Sequence, residues 1–317
     1  MAVVGGVVRG VALLPDGPVT AVLRLGSCPD SWGVWYADDP RQTPWQRFLD
    51  ELAGAGYRWL ELGPYGYLPT DPGRLADEIA ARGLRVTGGT VGGAGGPHGD
   101  FAAVLAETRR VAELTRAVGG TEVVFVPVPG YRDDRTGGYL EAAELGEGQW
   151  RVLLANSELL GRLLAEEYGL AFRFHPHADY QVEYQPQVER FLDGTDPRFV
   201  SLCLDVGHLA YRRADVLGLI GRYPERVGYV HLKQMDPDLA NRATAEDLAF
   251  GQAVAMGVSV TAPAGVPEYP PLIEALTALG RDLFVVVEQD MYPCDFDTPL
   301  PIARRTHSYL TSLGGFA

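Results

Sequence analysis

Phe172–His177 (FRFHPH), Ser201–His208 (SLCLDVGH), Gly228–Lys233 (GYVHLK) and Leu283–Asp290 (LFVVVEQD) are four apolar runs that each end in side chains able to bind a metal. Alternate residues of a strand face one side. His175 and His177 therefore share a face, as do His231 and Lys233, and Glu288 and Asp290. Polar pairs shown to one side by successive strand ends mark the carboxyl edge of a parallel sheet, where α/β proteins place their chemistry.

Working outward, strand-like and helix-like segments alternate along the chain. Strands are expected at Ala21–Gly26, Tyr57–Leu62, Leu84–Gly88 and Glu122–Val126, ahead of the four already quoted. Helices are expected near Pro44–Ala55, Pro72–Arg82, Asp100–Val118, Glu147–Tyr168, Gln185–Leu192, Ala214–Tyr223, Pro270–Leu279 and Leu300–Leu313, with a further helical stretch over Thr244–Met256. Proline opens several of them, as suits a first helical turn, and Gly83 closes one. Eight strand–helix units predict a parallel TIM (β/α)8 barrel. An open doubly wound sheet is the weaker alternative, because the glycine-rich stretch Gly88–Gly99 lacks the spacing of a dinucleotide fingerprint. The barrel is expected to span residues 21–317 as one domain. Residues 1–20 read as an N-terminal extension with a hairpin around Pro15-Asp16-Gly17.

With 27 basic and 41 acidic side chains the net charge is −14. Such a surface repels nucleic acid and anionic lipid. No run approaches the roughly 20 apolar residues of a membrane helix. Cys28, Cys203 and Cys294 are odd in number and form no CxxC pair, which reads as free thiols in a cytoplasmic protein.

Cys28–Pro69 (CPDSWGVWYADDPRQTPWQRFLDELAGAGYRWLELGPYGYLP) closely resembles inosose dehydratases, which belong to the xylose isomerase-like sugar isomerase/epimerase superfamily. FHPHADYQVE, LCLDVGHLAY, VHLKQ and VVEQD follow in the family's order. The resemblance implies a TIM barrel with one divalent metal at its carboxyl face, held from four successive strands. Its ligands then fall on His175, Asp205, His231 and Glu288, with His177 able to replace His175. Sugar epimerases carry Glu where this chain has His175. They use two metal-bound glutamates as paired acid and base, so the substitution favours dehydratase over epimerase chemistry.

Two imidazoles and two carboxylates suit manganese, cobalt or zinc better than magnesium or calcium. The bland alternative for Asp205 and Glu288 is pairing with nearby cations. Lys233 shares the face of His231, and burial beside a metal is expected to lower its pKa and make it an acid or base. An ion pair with Asp290 or Glu61 is the structural alternative. His208, read as lying in a loop past the strand, is either a proton or substrate contact or a helix cap. His177 is a further catalytic candidate.

Glu61, Asp290, Trp32 and Tyr65 are expected to contact substrate, the two aromatics through the apolar face of a polyol ring. Glu61 could instead bridge inside the barrel, and the two rings could be core. Arg173 is expected one layer below His175, where it must either pair with a buried carboxylate or mark a break in register. His98 and His307 read as surface residues.

The expected activity is metal-dependent dehydration of a cyclic keto-polyol such as 2-keto-myo-inositol. A sugar isomerase or epimerase is the alternative, and a polyol-binding barrel the non-enzymatic one. The partner is a small polyol or sugar, with no nucleic acid or membrane partner and with homo-oligomerisation open.

Overall fold

Short apolar strands separated by amphipathic helices bury both faces of a parallel sheet, and here that sheet closes on itself. The computed structural model describes residues 21–92, 100–127 and 130–316. The expected extension over residues 1–20, its hairpin and His98 lie outside the described residues. Strands β1 (Leu23–Ser27), β2 (Trp59–Glu61), β3 (Arg85–Val91), β4 (Glu122–Phe125), β5 (Ala171–Phe174), β6 (Val200–Asp205), β7 (Val227–Leu232) and β10 (Leu283–Val287) form a closed barrel. Every neighbouring pair is parallel.

Helices α1 (Trp45–Ala55), α2 (Pro72–Ala80), α3 (Phe101–Ala117), α4 (Glu147–Leu163), α5 (Gln185–Asp193), α7 (Val216–Arg222), α10 (Tyr269–Ala278) and α11 (Pro299–Leu313) follow the strands. A short α6 (Val206–Tyr211) follows β6 directly. Aspartates cap several of them: Asp71, Asp100 and Asp215 each accept a backbone N–H of the first turn. Each such cap contributes about 1 kcal/mol.

The period-2 alternation of the strands sorts their side chains into two cores. Leu202, Leu204, Val230, Leu232 and Val285 pack outward with the helices. Cys28, Val124, Cys203, Tyr229 and Val286 form a separate small cluster inside the barrel. Arg173 ends up at the barrel's lower rim, donating to Glu122 Oε2 at 2.6 Å and touching Ser201 Oγ. The β4–β5–β6 register runs without interruption there, so the charge pairs and the strand does not break.

Two expectations change and one element is new. The helix expected over Thr244–Met256 is two helices, α8 (Pro237–Ala245) and α9 (Phe250–Ala255). They part around Asp247, whose φ of 51° lies outside the helical region. Two short strands, β8 (Gln234–Met235) and β9 (Ser259–Val260), form an antiparallel ribbon above the barrel. His307 is half-buried rather than a surface residue, its ring edge-on to Tyr57 at 4.9 Å and filling the space beside Gly56.

Candidate active site

Asp205 is both the last residue of β6 and the N-cap of α6. Its Oδ1 accepts the His208 backbone N–H at 2.7 Å. That bond turns Oδ2 into the barrel mouth, where it has no hydrogen-bond partner. Four nitrogens surround it: His175 Nε2 at 3.3 Å, Lys233 Nζ at 3.4 Å, His231 Nδ1 at 3.7 Å and His208 Nε2 at 4.0 Å. His208 was expected in a loop. It lies instead in the first turns of α6, because the helix begins at the residue after Asp205, and its ring folds back over the cluster.

His231 is fixed from behind. Its Nε2 lies 2.8 Å from Glu61 Oε2, and Glu61 Oε1 in turn accepts from Thr90 Oγ1 at 2.7 Å. A carboxylate on Nε2 selects the proton position on the ring and aims Nδ1 at the site. Nδ1 lies against Glu288 Oε2 but in a geometry that makes no hydrogen bond. Glu61 therefore bonds the histidine, and the structure does not pair it with Lys233.

Lys233 is 1% exposed. Its ammonium sits 2.6 Å from Glu288 Oε1, 2.7 Å from Asp290 Oδ2 and 3.0 Å from His208 Nε2. Burial pulls its pKa down, but Asp205, Asp290 and Glu288 outweigh it and hold the group well above its ordinary value. Three carboxylates facing the amine thus offset the burial that was expected to lower its pKa. Glu288 is held low against its own burial by Lys233 and His231. Asp290 is pushed up by burial and by the Glu288 charge. Burial, then His177 and Lys233, keep His208 neutral. His177 packs at a tilt against His208, ring centroids 3.8 Å apart, and burial followed by the charge of His175 pushes its pKa down to about 3.

The aromatic expectations also change. Trp32 is fully buried, its indole N–H on Glu51 and its ring edge-on to Phe48, so it has no face to offer a ligand. Tyr65 packs beneath Arg110 beside Leu62 and Leu75, away from the cluster. The short turn Pro29–Trp32 directs Trp32 into the core and leaves Trp35 at the mouth. There Trp35 stacks on Tyr292 and donates to Asp290 Oδ1 at 3.2 Å. Phe250 of α9 covers His208 at 4.7 Å, and Asp30 joins Glu288 and Asp290 in an acidic group. Sequence reasoning missed all three. The aromatic-rich WGVWY was the available signal for Trp35, whereas Phe250 arrives from a remote helix.

The donor set fits a divalent cation. His175 Nδ1, Asp205 Oδ2 and His231 Nδ1 are buried polar atoms without hydrogen-bond partners. Donor atoms of His175, Asp205, His208 and Glu288 all lie within 4.8 Å of one another. In that group His208 stands where His231 was expected, although His231 Nδ1 borders the same carboxylates.

The sequence profile of the xylose isomerase-like TIM barrel matches residues 49–313. The chain belongs to the xylose isomerase-like TIM barrel family. The inosose dehydratase of Bacillus velezensis is 27% identical over 303 residues, covering 89% of this chain and 95% of that protein. A D-allulose 3-epimerase from Methylomonas sp., solved with D-allulose, superposes with a TM-score of 0.67 at 16% identity, over 93% of this chain and 98% of its own. The IolI protein, solved with a bound zinc atom, superposes with a TM-score of 0.61 at 15% identity, over 92% and 98%. At these identities the two superpositions establish the shared barrel. No helix among the described residues is long and apolar enough to cross a membrane.

Proposed function

We propose that this xylose isomerase-like barrel is a metal-dependent dehydratase acting on a cyclic keto-polyol of the inosose class. The observation that carries the reading is the donor set at the mouth. Two imidazoles and two carboxylates converge beside a lysine ammonium that is hydrogen-bonded to one of those carboxylates. Near full-length similarity to inosose dehydratases supports the substrate class. His175, Asp205, His231 and Glu288 are assigned as the metal ligands, with His208 close enough to join them. A divalent cation held there would supply Lewis-acid polarisation of a ketone oxygen.

Dehydration removes a proton next to the ketone and delivers one to the hydroxyl that leaves as water. The reaction is proton-neutral overall, which suits a closed hydrogen-bonded row. Glu288, Lys233 and His208 form such a row, with links of 2.6 and 3.0 Å. Glu288, held ionised, takes the proton, and the charged Lys233 amine donates to the departing oxygen. Asp290 anchors that amine and is itself anchored by Trp35. Glu61 acts through His231, so its assigned role is to position that ring and not to touch substrate. The near-complete burial of the row excludes bulk water from it.

A panel of keto-inositols and ketohexoses, assayed without oxygen in manganese, cobalt or zinc, tests the reading. The expected product is a conjugated enone or dione seen by its ultraviolet absorption. An isomerised ketose with no such absorption would assign the barrel to the epimerases instead.

A further inference from the structure

Cys203 lies on β6 two residues before Asp205, so both side chains point into the barrel, the thiol one layer deeper. It is fully buried among Cys28, Val124, Tyr229 and Val286. Its neighbours above are the imidazoles of His175 and His231. Each of these rings keeps one nitrogen, Nδ1, without a hydrogen-bond partner, and both residues are 97% or more buried. One donor atom from each of His175, Cys203 and His231 lies within 4.8 Å of the other two.

We infer that His175, Cys203 and His231 form a second coordination site, beneath the first, that takes a thiophilic divalent cation. Two imidazoles and one thiolate are the donors that soft cations such as cadmium select, whereas carboxylate oxygens suit harder ones. The upper site is built on Asp205 and Glu288, the lower one on Cys203, and the two imidazoles are common to both. A cation drawn to the sulfur therefore withdraws those rings from the carboxylates, and the two sites exclude each other. Thiophilic cations then act as inhibitors of the activity proposed above, and this inhibitory consequence alone rests on that reading.

Binding replaces the S–H bond of Cys203 by a sulfur–metal bond and releases one proton to solvent. Cys28, also buried, and the half-buried Cys294 lie in neither histidine group.

Cadmium(II) titrated into the full-length protein is the test, read by the ultraviolet sulfur-to-cadmium charge-transfer band and by binding isotherm. In the native sequence one equivalent should produce the band. Cys203→Ala should abolish it and weaken cadmium binding at least about tenfold, as expected when a ligand is lost. A protein with Cys28→Ala and Cys294→Ser, leaving Cys203 as its one cysteine, should keep the band in full and keeps the test decisive if Cys203→Ala does not fold. A band that survives in Cys203→Ala, or is missing from the single-cysteine protein, overturns the lower site. Dehydratase activity is scored separately in metal-loaded protein without cadmium, so the two readings fail independently.

Discussion

At the scale of single residues, the carboxyl face works through side chains that hold other side chains. Glu61 is the clearest case, because its bond to His231 Nε2 decides which ring nitrogen faces the mouth. Glu61→Gln keeps the shape and removes the charge. We expect metal affinity to fall about tenfold, measured by competition with a chelating dye, while the fold is retained. Lys233 is held charged by three carboxylates, an arrangement that could be purely structural. Lys233→Met separates the possibilities, since it preserves the stem and deletes the amine. If the amine donates the proton, turnover should drop by about 100-fold or more in metal-saturated protein with metal content unchanged. Normal turnover with only a lowered melting temperature would leave an ion pair and nothing more.

At the scale of elements, the site depends on how closely α6 lies against β7. The α6 chain crosses beside the Lys233 stem, and a Cβ built on Gly207 would stand 2.4 Å from Lys233 Cβ and 2.5 Å from its Cγ. Those atoms are the root of the side chain and cannot swing aside, so the glycine of DVGH is required by the approach of two elements. Gly207→Ala forces α6 and β7 apart. We expect a loss of about 1–3 kcal/mol in denaturant unfolding, in the range of overpacked cores. Turnover should fall as well, because His208 and Asp205 ride on the displaced helix. Strand periodicity made the alternate residues of β6, β7 and β10 readable in advance. Where α6 would begin was not readable, since it follows from a side-chain cap at Asp205 that only forms once the strand has ended there.

At the scale of the whole molecule, loops from distant parts of the chain meet over the mouth. The segment after β4 is held to the α8–α9 turn by Arg132, whose guanidinium reaches Asp247 at 3.0 Å, and to α9 by Asp134 O packed against Gly251. On the other side Arg135 reaches Asp39 at 3.5 Å and lies over the Tyr36 ring. This closure gathers acids, and burial together with Asp179, Asp133 and Asp290 pushes the Asp134 carboxyl up to about 7. A folded-state value above the unfolded one of about 3.9 means the folded protein binds the extra proton between these pH values. Its contribution to stability is full below about pH 4 and is lost as pH rises through about 7. Asp134→Asn should flatten that decline, so the variant should gain on the native sequence in melting temperature at pH 8 relative to pH 5. An unchanged pH profile would place the carboxyl in ordinary solvent.

What the sequence determined by itself was periodic or terminal: eight strand–helix units, the barrel they close into, and polar residues at the ends of β6, β7 and β10. These follow from the side-chain alternation of strands and the stop signals of helices, both of which act over a few residues. Contacts between residues far apart in sequence belonged to the tertiary structure. His231 meets Glu61, Lys233 meets three carboxylates instead of one, and Trp35 and Phe250, not Trp32 and Tyr65, border the cluster. The reason is physical. The charge state of a buried group is set by the summed field of all its neighbours, and those neighbours are brought together only when the barrel closes.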